Sequence, residues 1–241
     1  MDLARQIREN LLVVNEKIAA AATRSGRNFE DIQLIAVTKG QPIEVIQAAI
    51  STGIRNFGEN YPEESLPKIM ECREQGVKWH MIGHLQSRKA RLVCEHFDWM
   101  HSLDSLRLAE KMERQLAQNG RSLPVLLQFN VGGEESKSGW LANDENSWPA
   151  LVAEIGQILQ FPHLQIKGLM TMPPLTVSPQ EARAYFHKLV NLRDYLSRQF
   201  PEAVWQELSM GTSSDFESAV EEGATFVRIG TGILGPRPAR M

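Results

Sequence analysis

Eight short apolar segments alternate with helical segments along the chain, and this alternation restricts the fold more than any other feature of the sequence. A first helix, with apolar residues every three or four positions, precedes them and ends at Ser25-Gly26. The apolar segments are short and rich in β-branched residues, which predicts buried strands. The predicted strands span residues 33–39, 54–60, 79–84, 99–103, 124–131, 164–172, a short stretch from 208, and 225–229. The predicted helices between them span residues 42–49, 62–75, 87–95, 104–118 (with Asp104 as N-cap), 146–159, 178–200 and 214–222.

Strands that are joined through helices run parallel, because each crossover returns the chain to the same edge of the sheet. Eight such units within 241 residues favour a closed (β/α)8 barrel, the TIM barrel, over an open doubly wound sheet. No linker or low-complexity segment divides the units, so residues 1–241 are expected to form one α/β domain. Chemistry in such barrels takes place at the carboxyl ends of the strands. Residues at those ends are therefore the functional candidates.

The overall composition excludes several classes of protein. With 26 basic and 29 acidic residues the net charge is -3, which gives no general attraction to nucleic acid or to an anionic membrane. No apolar run approaches the roughly 18–20 residues of a membrane-spanning helix, and the charges in the first ten residues argue against a signal peptide. Cys72 and Cys94 are too few for a disulfide framework. We therefore expect a soluble cytoplasmic protein with reduced thiols, and neither nucleic acid nor a membrane as its partner.

Lys39 is the first functional candidate, at the end of the first predicted strand. It alternates with Ile35 and Val37 and so shares their face of the strand, which points into the barrel. A lysine at the inward end of an apolar strand is partly desolvated, and desolvation favours the neutral amine, the form that attacks carbonyls to form imines. The alternative is a strand-end lysine whose ammonium group reaches water.

Two loops rich in glycine and hydroxyl groups provide the second signal. Residues 209–215 (SMGTSSD) belong to the seventh βα unit, and residues 228–235 (RIGTGILG) belong to the eighth. Glycines let backbone N–H groups approach an anion closely, and hydroxyls donate to phosphate oxygens. Barrels commonly hold a phosphate at these two loops. Either loop alone could be an ordinary turn, but together they predict a phosphate site.

A phosphate site and an imine-forming lysine in one barrel mouth are compatible with two chemistries, a sugar-phosphate aldolase and a pyridoxal 5′-phosphate (PLP) site. Arg228 favours PLP. It shares a face of the last strand with Gly230, so its guanidinium could meet the pyridine nitrogen of the cofactor. A guanidinium stays charged and accepts no proton, so it would keep that nitrogen unprotonated. The alternative for Arg228 is an ion pair with a carboxylate such as that of Glu59.

Several motifs, taken together, resemble one protein family. The segments AVTK, FGENY, WHMIGHLQ, SKSG, GLM, LSMG and VRIGTGILG are similar to those of the pyridoxal phosphate homeostasis proteins, in order from the first helix to about Gly235. The resemblance implies a monomeric barrel like the N-terminal domain of alanine racemase (fold-type III), with PLP on the lysine of the first strand. It also implies that the protein binds and buffers PLP in vitamin B6 and amino-acid homeostasis without a defined catalytic reaction. PLP-dependent apo-enzymes are then the expected recipients.

The resemblance assigns roles to residues by their position in the motifs. Lys39 would form the Schiff base and Asn60 would lie against the cofactor, while Arg228 would meet the pyridine nitrogen. Two residues depart from the family pattern: Thr212 stands where methionine is usual, and Arg88 where asparagine is usual. Thr212 is small and polar, so we expect phosphate binding to survive. The full set of expected cofactor-binding residues is Lys39, Asn60, His84 at the mouth, Ser209 and Thr212 in the first loop, and Arg228, Gly230 and Thr231 in the second.

A metal site is not expected. His80 and His84 have the spacing of two metal ligands on one face of a helix, but the segment WHMIGH that contains them is predicted to be a strand. The two histidines would then not share the geometry that such a pair needs.

A PLP-dependent amino-acid racemase is the alternative function. In the alanine racemase pattern a lysine and a tyrosine act on opposite faces of the cofactor, and the tyrosine comes from a second, β-rich domain of a partner subunit. The sequence ends shortly after the eighth strand, so we expect that domain to be absent. Tyr185 and Tyr195 lie on a predicted helix outside the mouth, whereas Tyr61 lies near the mouth and stays a candidate. An arginine at the pyridine nitrogen also weakens the electron sink, which favours a carrier over a racemase.

Overall fold

The computed structural model describes residues 2–174 and 178–238, and it forms a closed barrel of parallel strands. Eight strands pair in a ring in which β1 lies between β2 and β9, and a pairing of β4 with β5 completes the closure. The prediction of a (β/α)8 barrel is therefore confirmed. The strands are β1 (Gln33–Val37), β2 (Asn56–Glu59), β3 (Lys78–Met81), β4 (Trp99–Leu103), β5 (Leu123–Asn130), β6 (Trp140–Leu141), β7 (Leu164–Met170), β8 (Glu207–Thr212) and β9 (Phe226–Ile229).

The helices surround the barrel and cover its outer face. The N-terminal helix packs against helices from the C-terminal part of the sequence. There its Asn10 donates a hydrogen bond of 2.9 Å to the carbonyl of Ile233. The apolar face of this helix is buried at Ile7, Val14 and Ile18, as its sequence spacing predicts. The helices are α1 (Leu3–Arg24), α2 (Ile43–Ser51), α3 (Pro62–Glu71), α4 (Ala90–His96), α5 (Leu106–Asn119), α6 (Leu151–Ile158), α7 (Pro179–Gln199), α8 (Phe216–Glu221) and α9 (Thr231–Leu234).

The apolar core has two parts. The larger part packs the outer faces of the strands against the helices. The smaller part fills the inside of the barrel with Ile35, Leu126, Met170 and Phe226, which come from four different strands. A filled interior closes the barrel below its mouth, so a ligand can enter only at the ends of the strands.

The element boundaries differ from the sequence predictions in ways that matter for the site. β1 ends at Val37 and β3 ends at Met81, so Lys39 and His84 lie in loops and not on strands. The expected N-cap Asp104 is wrong: the hydroxyl of Ser105 accepts the capping hydrogen bond from the N–H of Leu108 at 3.4 Å. Two short elements, β6, which pairs with the end of β5, and the helix α9, are not predicted from the sequence.

None of the helices in the described part of the chain is long and apolar enough to span a membrane.

Candidate functional site

A cavity of about 150 Å³ opens at the carboxyl ends of the strands, where chemistry is expected in this fold. Six of the eight residues that the sequence analysis selected line this cavity, namely Lys39, Asn60, Thr212, Arg228, Gly230 and Thr231. Topology explains this convergence, since β1 pairs with β2 on one side and with β9 on the other, and β9 pairs with β8. The remaining lining residues are Val37, Ile82, Met172, Ser213 and Arg237.

Lys39 lies two residues beyond the end of β1 and is half-buried at the cavity wall. Burial lowers the pKa of its ammonium group, and the positive charges of Arg237 and Arg228 lower it further, while Glu59 acts in the opposite direction. A lowered pKa increases the fraction of neutral amine at physiological pH. The physical condition for a nucleophilic lysine is therefore present, and it is produced by both burial and neighbouring cations.

Arg228 forms the floor of the cavity and is only 3% exposed. Its guanidinium donates to the carbonyl of Thr171 at 2.9 Å, to Sδ of Met172 at 2.9 Å and to the hydroxyl of Ser209. The alternative of an ion pair with Glu59 is not found, because Glu59 binds Lys68 at 2.8 Å. Burial lowers the pKa of Arg228 to about 10 despite an opposing contribution from Asp215, so the side chain stays charged at neutral pH.

The two predicted phosphate loops meet at one wall of the cavity. Ser213 follows β8, and its Oγ lies 3.8 Å from the position that a Cβ atom would take on Gly232 in α9. The N–H and hydroxyl groups of Thr212 both bind Asp215, at 2.6 and 3.0 Å, which fixes the turn between them. Within the described ranges, no hydrogen bond uses the exposed hydroxyls of Ser213 and Thr231. The wall thus combines free hydroxyls with the first N–H groups of a helix, which suits an anion.

Comparisons with known proteins agree on the family. The profile of the family described as alanine racemase, N-terminal domain, matches residues 7–238. The pyridoxal phosphate homeostasis protein of Escherichia coli (strain K12) is 42% identical over 234 residues, which cover 96% of this chain and 97% of that protein. The protein of the same name from Haemophilus influenzae is 40% identical over 233 residues, covering 96% of both chains. This chain belongs to the pyridoxal phosphate homeostasis protein family.

A solved structure extends the comparison to three dimensions. PipY of Synechococcus elongatus PCC7942, in a structure with PLP bound, has a TM-score of 0.81 and 39% identity, and the match covers 95% of this chain and 100% of that chain. The resemblance to pyridoxal phosphate homeostasis proteins that was drawn from the motifs is therefore confirmed.

In this member of the family, two of the residues selected from the sequence lie outside the cavity lining. His84 is exposed at the rim, where its Nδ1 lies 2.8 Å from a carboxylate oxygen of Asp104 and 3.0 Å from the hydroxyl of Ser138. Ser209 is fully buried inside the barrel, below Arg228. The residue that takes the expected place of Ser209 at the cavity wall is Ser213, which the sequence reading did not select. Its position directly after β8, at the start of the loop, is the signal that identifies it.

Asn60 occupies the wall at the end of β2. Its side-chain Oδ1 is buried and has no hydrogen-bond partner in the described part of the chain. Gly83 packs against it so closely that a Cβ atom on Gly83 would lie 2.6 Å from Cα of Asn60. The unpaired Oδ1 of Asn60, on a backbone that is fixed by this packing, suits a ligand that donates a hydrogen bond to it directly or through a water molecule.

Below the cavity, a row of hydrogen-bonded polar side chains crosses the interior of the barrel. Nδ1 of His101 lies 2.8 Å from Oγ of Ser209, and Nε2 of His101 lies 3.0 Å from Nδ1 of His80. Nε2 of His80 lies 3.4 Å from Oδ1 of Asn56 at the start of β2. Both histidines are fully buried. Of this row, Ser209 is the residue predicted from the sequence, whereas the two histidines are not evident from the sequence as its hydrogen-bond partners.

We expect acid to destabilise the barrel through these two histidines. Burial lowers the pKa of His80 to about 3 and holds the pKa of His101 well below its usual value. Both are neutral in the native state, whereas in the unfolded chain they bind protons below about pH 6.5. Their contribution to stability is therefore complete above about pH 6.5 and falls as the pH decreases towards 3, by up to about 1.4 kcal/mol per pH unit for each histidine.

Urea denaturation at several pH values between about 7 and 5 measures this dependence. Carboxylates also contribute to the slope, so the decisive quantity is the difference between two variants. His80→Gln should flatten the slope, whereas His187→Gln, at a side chain that is 63% exposed, should not change it. Equal slopes for the two variants would show that His80 does not carry the acid sensitivity.

Proposed function

We propose that this chain binds PLP in the cavity as a Schiff base on Lys39 and serves PLP homeostasis without a catalytic turnover of its own. The observation that carries the proposal is the position of Lys39, whose ammonium pKa is lowered at the wall of a cavity that also holds an anion-binding turn. Relatives that are about 40% identical bear the name pyridoxal phosphate homeostasis protein, and the PipY structure contains PLP. These findings on relatives support the proposal for this chain.

The residues of the cavity fit the chemical groups of PLP. The amine of Lys39 suits the aldehyde, and the wall formed by Ser213, Gly230 and Thr231 suits the phosphate. When it is bound, PLP supplies an aldehyde that exchanges reversibly between amines. Arg228 offers N–H groups and no acceptor to the ring nitrogen. Asn60 has an unpaired buried oxygen for a ring hydroxyl or for water.

The charge on Arg228 favours a carrier over a racemase. A guanidinium whose pKa is about 10 keeps its proton at neutral pH, so it cannot protonate the ring nitrogen of PLP. An unprotonated ring withdraws electrons weakly, which disfavours abstraction of a proton from an amino acid. The cavity wall is also open to water at Ser213 and Thr231, which are both exposed. Water access suits the exchange of PLP more than protected carbanion chemistry.

Racemisation stays the second candidate because of Tyr61. This residue is 48% exposed and lines a neighbouring cavity of about 270 Å³ together with Lys39, Gly40, Arg237 and Pro238. Tyr61 and Lys39 thus border the same cavity, which is the arrangement that two groups acting as acid and base on the α-carbon of an amino acid would need. Tyr185 and Tyr195 lie on α7, outside both cavities.

One set of measurements on the purified protein separates the candidates. We expect added PLP to produce a near-visible absorption band, and borohydride reduction followed by peptide mass spectrometry to place the modification on Lys39. We expect no amino-acid racemisation and no aldol cleavage. A protein that stays colourless at saturating PLP would overturn both PLP-dependent functions and leave the aldolase. Turnover that is lost in Tyr61→Phe would establish the racemase.

The proposal also covers the setting in which the protein acts. We propose a monomer in the cytoplasm that releases PLP to PLP-dependent apo-enzymes. Cys72 and Cys94 are both free and buried, which fits a reducing compartment. Gel filtration measures the oligomeric state, and transfer of PLP to an apo-enzyme can be followed by the recovery of that enzyme's activity.

A further inference from the structure

The buried row of polar side chains that starts at Arg228 makes none of the contacts with PLP that are proposed above, apart from those of Arg228 itself. It runs from Arg228 through Ser209, His101 and His80 to Asn56, and it therefore crosses the barrel from the cavity floor towards the opposite end. Three neutral side chains of the row, Ser209, His101 and His80, are fully buried. Burying them in place of apolar side chains costs desolvation energy, which their hydrogen bonds offset only if every partner is satisfied. Such a network is stable only in an arrangement that pairs its donors with its acceptors.

The donors in the row can be ordered, because one end is fixed. Arg228 is always a donor, and it donates to the hydroxyl oxygen of Ser209. The single O–H of Ser209 is then free to donate to Nδ1 of His101 at 2.8 Å. In a neutral imidazole that accepts at Nδ1, the proton is on Nε2. His101 therefore donates from Nε2 to Nδ1 of His80 at 3.0 Å.

The far end of the row agrees with this direction. His80, which accepts at Nδ1, carries its own proton on Nε2 and directs it to Oδ1 of Asn56 at 3.4 Å. The reverse order would make His101 a donor to Ser209, and it would leave the O–H of Ser209 without an acceptor among the described residues. The order that starts at Arg228 is the one that pairs every donor.

Aromatic packing holds the two imidazole rings in place. The ring of Phe226 contacts His101 edge-on at 4.9 Å between centroids and His80 at 5.9 Å. Trp99 stacks on His80 at 6.0 Å and meets Phe226 at 5.4 Å. Rings enclosed in this way cannot rotate to exchange their nitrogen atoms without moving the interior of the barrel.

We infer that Ser209, His101 and His80 are positioning residues, which hold the Arg228 guanidinium towards the cavity through a hydrogen-bond chain that runs in one direction from Arg228 to Asn56. Arg228 has no carboxylate within ion-pair distance in the described part of the chain, so these neutral groups take the place of the usual counter-ion. The part of the inference that concerns the PLP ring rests on the proposed function. The direction of the hydrogen bonds does not depend on the proposed function.

Nitrogen-15 NMR of the ligand-free protein tests the direction. Two-bond correlations between ring protons and ring nitrogens distinguish a protonated from an unprotonated nitrogen. We expect Nδ1 to be unprotonated and Nε2 to be protonated in both His80 and His101. A proton on Nδ1 of either histidine, or exchange-averaged signals from both nitrogens, would overturn the inference.

Ser209→Ala tests the positioning role, with Ser102→Ala as a matched control. Both serines are fully buried, and the hydroxyl of each forms a hydrogen bond. Ser102 lies outside the row, because its hydroxyl donates to the carbonyl of Gly83 at 2.6 Å. We expect Ser209→Ala to change the tautomer signals of His101, to shift the near-visible band of the PLP-loaded protein, and to weaken PLP binding roughly tenfold. Ser102→Ala should change none of these three readouts, and Ser209→Thr, which keeps the hydroxyl, should restore the tautomers.

The outcomes separate this inference from the proposed function. If Ser209→Ala alters the His101 tautomer but binds PLP with the same affinity and spectrum as Ser102→Ala, the positioning role is wrong while PLP binding stands. If the wild-type protein binds no PLP, the proposed function fails together with the positioning role. The NMR result still decides the direction of the hydrogen-bond chain in that case.

Discussion

Replacement of Lys39 by alanine is expected to remove all of the near-visible absorbance that PLP gives to the protein. Lys39 provides the one amine among the described residues that line the cavity, since the other two cationic side chains there are arginines. Without this amine PLP can be held only by its phosphate and ring contacts, and we expect its dissociation constant to rise about 100-fold or more. The measurement is a spectrophotometric titration followed by gel filtration, which reports how much PLP stays with the protein.

The fold should be largely unaffected by this substitution, because Lys39 is half-buried and lies in a loop beyond β1. A change in stability within about 1 kcal/mol is typical of such positions. Lys78→Ala is the matched control, since Lys78 is exposed at the start of β3, at the opposite end of the barrel. If Lys39→Ala keeps the band, or if Lys78→Ala loses it, the covalent site lies elsewhere.

The barrel was predictable from the sequence because its eight strands are all buried and are all followed by helices. Such strands consist mostly of apolar residues, so they are visible without any knowledge of their partners. The cavity was partly predictable for the same reason, since every parallel strand places its carboxyl end at the same rim. Lys39, Asn60 and Arg228 lie there because each ends or follows a strand that is easily recognised.

The differences between the sequence predictions and the structure concern the places where a strand ends. β8 continues to Thr212 with a shift in register between Ser209 and Thr212, so Ser209 points into the barrel and Ser213 begins the loop. In the sequence, Leu208 starts a short apolar stretch, and the glycine and hydroxyl residues that follow it are typical of a loop. Similarly, β3 ends at Met81, and His84 turns outward to Asp104. Strand ends depend on pairing with neighbours, which one sequence does not contain.

The interior histidines were missed for a different reason. His80 lies in the segment WHMIGH, whose apolar residues conceal the alternation of its faces. Its polar partners are distant in sequence, since His101 is 21 residues away, and Ser209 is a further 108 residues beyond His101. A buried polar side chain can be recognised as satisfied only when such partners are known.

The second large effect, a loss of stability, is expected from Lys68→Met. Lys68 forms a buried ion pair with Glu59 next to the loop that carries Lys39. Lys68 donates to a carboxylate oxygen of Glu59 at 2.8 Å and to the carbonyl of Thr38 at 3.0 Å. Glu59 is completely buried, and Thr38 donates to the same carboxylate at 2.8 Å. Removal of Lys68 leaves the carboxylate without its cation in the protein interior. We expect the free energy of unfolding to fall by about 3–5 kcal/mol.

Two controls identify the cause of this loss. Lys89→Met breaks an ion pair with Glu63 that is partly exposed, and such pairs contribute about 0–1 kcal/mol. The double variant Lys68→Met/Glu59→Gln removes the buried charge as well as its partner, so it should recover a large part of the stability that Lys68→Met alone loses. Urea denaturation of the three variants measures the differences.

The double variant also separates stability from site geometry. Lys68 donates to the carbonyl of Thr38, which directly precedes Lys39 in the sequence. The ion pair therefore anchors the loop that carries the lysine proposed to bind PLP. If the anchor acts only through global stability, the double variant will regain PLP binding together with stability. If it also orients Lys39, PLP affinity will stay reduced while stability recovers. A Lys68→Met variant as stable as Lys89→Met would show instead that the ion pair of Lys68 with Glu59 contributes no more to stability than an exposed pair does.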